Sequence, residues 1–253
     1  MGLFGRLFGS GKEGDEAGKA AKSGPSPQVA RLLKKATNKY GQAQDRQAAL
    51  NALADLGTEE AVEALLQRYT FRIEQTIGDE EEKRSVFEAL VRLGPSTVPP
   101  ILRFLGVHNA PYWPTKALTE IVGADQTVTH LIALIETMEA VFDRDIERKV
   151  ELVSNLRQFK DPRVRDVLMG FLQDDNEEFR VQALEGLADL GSDEMGDVLV
   201  ERLLDEAETQ RVKTAILDLL IDRKWKVKRH KDAIRKVIPD AFWIDDVGVI
   251  HRR

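Results

Sequence analysis

The sequence predicts an all-α fold, a right-handed α-solenoid of about six helix pairs closed by a short C-terminal β-hairpin or extended cap. Three observations lead there. Apolar residues recur at three- and four-residue spacing across residues 29–238, while period-two alternation is nearly absent before the last dozen residues. One frame repeats: "ALNALADLGTEEAVEALL" (49–66) returns as "VFEALVRLGPSTVPPILRFL" (86–105) and as "VQALEGLADLGSDEMGDVLVERLL" (181–204). With 42% hydrophobic residues, 18 Gly and 9 Pro among 253, the chain can bury a core and is neither collagenous nor low-complexity.

From the front, "MGLFGRLFG" (1–9) reads as an amphipathic tip. Leu3, Phe4, Leu7 and Phe8 share one face of a short helix, and Arg6 adds positive charge. Such a tip suits a membrane surface or a partner's groove, against the plainer alternative that it docks back onto the solenoid. Arg6 stands where myristoylation calls for Ser or Thr. Residues 10–27, rich in Gly, Ser, Lys and Pro, read as a disordered linker. "QVARLLKKATNKYG" (28–41) follows as a capping helix ended by Gly41, and opens a solenoid spanning residues 28–239.

Each full unit is a helix, a Leu-Gly stop, a polar or proline turn and a second helix. A helix that must end and reverse within a few residues needs a C-terminal position of positive φ, which glycine occupies without strain. Thr58, Ser96 and Ser192 stand where the next helix wants an N-cap. Gly57, Gly94, Gly123 and Gly191 are 37, 29 and 68 residues apart, so the last interval holds two units. "VELVSNLRQFKDPRVRDVLMGFL" (150–172) fills it, with Asp161-Pro162 in place of the glycine and Pro162 at a first helical position. A sixth unit, residues 211–238, has a longer, basic turn. "AFWIDDVGVIHRR" in residues 240–253 then changes period around Asp245-Asp246-Val247-Gly248 and reads as the cap.

The Ala-Leu-x-x-Leu-x-x-Leu-Gly frames at 49–57, 89–94 and 183–191, with the Asp-Pro-x-Val turn at 161–164, resemble HEAT repeats, particularly the short bacterial HEAT-like kind also found in phycobilin lyases. The resemblance covers residues 45–238. It implies a stacked array in which each pair buries its apolar face against its neighbours and the ends need caps.

Chemistry is sparse. With no cysteine there is no disulfide, thiolate nucleophile or cysteine-bound metal, and no two of His108, His130, His230 and His251 stand three to five residues apart. No Walker or dinucleotide fingerprint exists. Acidic clusters at 79–82, 174–178 and 205–208 read as solvated turns and helix caps. The expectation is therefore no enzyme, no catalytic residue, no metal and no cofactor.

Two segments stand out as partner-binding candidates. Tyr112 and Trp113, between Pro111 and Pro114, interrupt the repeat frame, as a filler of the third unit or as an exposed anchor. Residues 222–236 carry eight Lys and Arg against two Asp within a chain of net charge -6, and Trp225, Lys224, Lys226, Lys228 and Arg229 are their binding candidates. The leading function is a non-catalytic cytoplasmic scaffold or adaptor that binds a protein partner, with peripheral membrane contact through residues 1–9. The alternative is an anion-directed binder of an acidic membrane or nucleic acid through the basic segment, nucleic acid being the less expected partner. A lyase- or glycosylase-type enzyme is the minor alternative.

Overall fold

The computed structural model describes residues 24–140, 142–191 and 193–253, without the side chains of Asp193 and Glu194. The expected tip (Leu3, Phe4, Leu7, Phe8), most of the linker and the Ser192 cap lie outside the described residues. A single helix, α1 (Pro27–Ala36), precedes six consecutive pairs. These are α2 (Ala43–Leu56) with α3 (Glu59–Leu66), α4 (Thr76–Leu93) with α5 (Val98–Val107), and α6 (Tyr112–Val122) with α7 (Ala124–Thr137). Then come α8 (Asp143–Leu156) with α9 (Pro162–Phe171), α10 (Glu177–Leu190) with α11 (Asp193–Leu204), and α12 (Gln210–Asp222) with α13 (Lys231–Val237). An antiparallel hairpin, β1 (Phe242–Ile244) with β2 (Ile250–Arg252), ends the chain in the register Phe242–Arg252, Trp243–His251, Ile244–Ile250.

First helices pack on first helices and second on second, giving two layers. In the first layer α2 packs on α4, α4 on α6, α8 on α10 and α10 on α12; in the second, α3, α5, α7 and α9 follow one another. No comparable packing joins α6 to α8 in the first layer or α9 to α11 in the second. The core is continuous: Leu53, Leu90, Leu118, Leu156, Leu187 and Ile216, one from each first helix, have no exposed surface. At the ends, α1 covers α2 and α3, and the hairpin packs on α12 and α13.

Local chemistry sets the boundaries. Gly57 and Gly191, at φ 58° and 72°, end α2 and α10 in the left-handed conformation that a side chain would strain. Thr58 caps α3, accepting from the Ala61 N–H, and Asp161 caps α9 ahead of Pro162. Ser96 does not cap: it lies in a 3-10 turn, its hydroxyl donating to the Leu93 carbonyl, because Pro99 and Pro100 delay α5 until Val98. The capping helix is shorter than the expected 28–41. Thr37 turns its hydroxyl back onto the Leu33 carbonyl at 2.8 Å and α1 stops at Ala36, while Ser26 and Pro27, placed in the linker by sequence, are its N-cap and first residue.

Two of the acidic clusters are only partly solvated: Glu80, Glu81 and Glu206 are exposed, but other carboxylates of the same clusters turn inward. Asp79 and Glu82 are buried in α4, where Glu82 receives Arg46 (Nη2, 2.8 Å) and Arg68 (Nε, 2.6 Å), and Asp79 receives Arg68 (2.7 Å) and Lys83 (2.5 Å). Glu208 is likewise buried, gripped by Arg180 (3.0 Å) and Arg202 (2.5 Å). Carboxylates one helical turn apart share a face, and here that face turns inward onto arginines of the preceding pair.

Candidate partner-binding site

Pro111 brings the chain into α6, and the first two residues of that helix take opposite roles. Trp113 is half-buried, stacked on Tyr69 (centroids 6.5 Å, 8° between planes) and tilted against Phe87 (5.7 Å), with the Lys116 ammonium 5.2 Å from its ring centre. It fills the gap between α4 and the turn after α3. Tyr112 meets Trp113 edge-on at 5.5 Å and stays 54% exposed. Behind them the Tyr69 phenol donates to the Lys83 carbonyl, and burial pushes its pKa well above the ordinary value, keeping it a neutral donor.

This aromatic step borders the place where α6 and α8 fail to stack. A cavity of about 500 Å³ opens there, lined by Phe71, Arg72, Glu80, Tyr112, Trp113 and Asn155. A second groove, about 480 Å³, runs on along α8 towards α10 past Asp143, Ile146, Glu147, Val150 and Glu178. Asn109 and Glu151 line both, so the two are contiguous. Sequence reasoning found Tyr112 and Trp113 but missed the α8 face. Its signal was available: 143, 146, 147, 150 and 151 form one helical stripe, with Ile146 and Val150 flanked by carboxylates.

The basic segment stands three pairs away, between α12 and α13. Trp225 is not an exposed anchor. It is half-buried against α11, its ring carbons 3.6–3.8 Å from where a Cβ on Gly196 would stand. Val227 is buried beside it and its N–H donates to the Gly248 carbonyl at 2.8 Å. Lys224, at φ 52°, and Lys226, Lys228 and Arg229 are exposed. Neighbouring cations are neutralised locally: Arg223 by Asp189 and Lys231 by Asp246, with Arg229 itself 3.8 Å from Asp197. The hairpin presents a different aromatic, Trp243, stacked on His251 at 4.6 Å. Among the described residues no group of three or more His, Cys, Asp or Glu could hold a metal, and no helix is long and apolar enough to cross a membrane.

Helix pairs stacked in two layers, reversed at left-handed glycines and tied by buried arginine–glutamate contacts, make this an α-solenoid repeat protein. Residues 128–221 match the model of HEAT repeats, and residues 45–69 match the PBS lyase HEAT-like repeat, so these segments carry HEAT repeats. No curated protein matches. Among solved structures it is similar to the crystal structure of an engineered protein, at 16% identity, covering 78% of this chain and 98% of that one with a TM-score of 0.32.

Proposed function

We propose that the chain is a non-catalytic scaffold that binds a partner protein on the first-layer face, with the cleft between α4, α6 and α8 as the contact. The observation that carries this is the exposed Tyr112 at the mouth of an aromatic-floored cavity, where the stacking of first-layer helices is interrupted. Aromatic side chains supply large contact area at little conformational cost and dominate interface energetics. Repeat arrays offer long surfaces of this kind, and the HEAT repeats of this chain support the reading. The test is affinity capture from native lysate with full-length protein, Tyr112→Ala, and Met169→Ala as an exposed control on α9. The expected result is loss of the captured proteins with Tyr112→Ala alone, at unchanged melting temperature. Equal capture by all three forms would overturn the reading.

A further inference from the structure

Helix α8 is buried on one side only. Leu152, Val153 and Leu156 enter the core, whereas the stripe of Asp143, Ile146, Glu147, Val150 and Glu151 faces the slot that a neighbouring first-layer helix fills elsewhere in the array. Ile146 and Val150 form its half-buried floor. Its rim is acidic. Among the described residues no cation lies within ion-pair distance of Asp143, Glu147 or Glu151, and only Glu178, across the groove, is paired, with Arg211. Two of the three basic side chains of α8 are engaged away from the stripe, Arg148 with Asp145 and the Val107 carbonyl, Lys149 with the Met138 carbonyl and the rings of Phe171 and Phe179, while the exposed Arg144 lies 3.8 Å from Asp145. The wider surroundings share this sign, since residues 124–221 hold 23 Asp and Glu against 11 Lys and Arg.

We infer that this slot receives a basic amphipathic helix of a partner protein, its apolar face on Ile146 and Val150 and its cations against Asp143, Glu147, Glu151 and Glu178. The inference rests on the scaffold reading and specifies its ligand. The stripe is about 12 Å long at helical rise, so two to three turns of a ligand helix cover it. The groove also sets an orientation. At the aromatic end Arg72 stands with Glu80 and Lys83 is held by Asp79, so charge is close to balanced there; the ligand's uncharged anchor goes towards Tyr112 and its lysines or arginines towards the unpaired carboxylates of α8. Exposed carboxylates of this kind contribute selection of sign more than affinity, and they repel acidic peptides and nucleic acid.

The test uses the full chain and two fluorescent helix-forming peptides with the same apolar face, flanked by lysines in one and by glutamates in the other. Anisotropy should show the lysine peptide binding roughly tenfold more tightly, with the difference shrinking as salt rises. Glu147→Lys combined with Glu151→Lys should reverse the order, and Val150→Asp should weaken both peptides, circular dichroism confirming that each variant is folded. Equal binding of the two peptides, an order unmoved by the double reversal, or no binding of either would overturn the inference. Capture of natural partners that stays sensitive to Tyr112→Ala in those cases would leave the scaffold reading standing; insensitive capture would remove both.

Discussion

Arg46 and Glu82 face each other across the first two helix pairs, the Nε and Nη2 of the guanidinium reaching the carboxylate at 3.0 and 2.8 Å. Arg180 and Glu208 repeat the contact in the second half of the chain, at 3.2 and 3.0 Å. Arg46 and Arg180 are each the fourth residue of a first-layer helix, and each also donates to carbonyls of the preceding turn, Gly41 in one case, Asp174 and Asp175 in the other. Each glutamate takes a second arginine, Arg68 or Arg202, from the end of the pair before it. One carboxylate of a unit thus fixes both helices of its predecessor.

Removing Glu82 leaves the buried Arg46 without a counter-charge and Arg68 with Asp79 alone. Glu82→Gln should cost about 3–5 kcal/mol, read as a lower urea midpoint. A loss below 1 kcal/mol would mean that water or a rearranged Asp79 takes over.

Acid should weaken the same contacts. Burial alone pushes the Glu208 carboxyl up, but hydrogen bonds from Arg180 and the Thr209 N–H, with the charge and hydrogen bond of Arg202, overcome it and hold the pKa below the ordinary 4.5. Asp79 is treated alike: burial raises it, and Arg68, Lys83 and the Ile73 N–H bring it below the ordinary 3.8. The folded pKa lies below the unfolded one, so the unfolded chain binds more protons in mild acid. Stability is then full above the unfolded value and is lost as pH falls through the folded one. Melting temperature should stay level down to about pH 5 and decline below it, with a shallower acid slope in Glu208→Gln; an identical slope would show that Glu208 does not contribute.

The hairpin cap has one backbone position that tolerates no side chain. Gly248 sits at φ 89°, and a Cβ there would lie 2.7 Å from the backbone of Lys228. Gly248→Ala should therefore cost roughly 2–3 kcal/mol and speed amide exchange through residues 242–252. Gly191→Ala, at φ 72° and ψ 19° with the nearest atom 3.8 Å from the added methyl, should cost only about 1 kcal/mol. Equal effects would mean that the turn is free to move off Lys228.

The three aromatics singled out by sequence should separate in calorimetry. Trp113, held between Tyr69 and Phe87, and Trp225, packed on α11, should each lose about 3 kcal/mol on replacement by alanine. Tyr112→Ala should stay within about 0.5 kcal/mol. A large loss at Tyr112 would move that ring into the core.

Helix pairs and their reversals were legible because glycine at a left-handed position and proline at a first turn act through neighbouring residues alone. The contacts of Arg46 with Glu82 and of Arg180 with Glu208 were not, because they join residues 36 and 28 apart in sequence. Acids near the start of a helix, as Glu82 and Glu208 are, look the same whether they face solvent or accept a buried arginine. The overlooked clue was an arginine at the same offset before both Leu-Ala-Asp-Leu-Gly endings, Arg46 before Gly57 and Arg180 before Gly191. The candidate site was half legible. Tyr112 broke a repeat frame, whereas the uncovered face of α8 depends on which helix fails to arrive beside it.

That missing α6–α8 contact also has a mechanical meaning. Elsewhere in the front half, tension or bending passes through two parallel rows of packed helices; across residues 138–142 only the row of α5, α7 and α9 is continuous. The second row is interrupted in turn between α9 and α11, so the array has two joints held by one row each. Bending would open the slot beside α8 at the first of them, and a ligand helix wedged there would stiffen that joint.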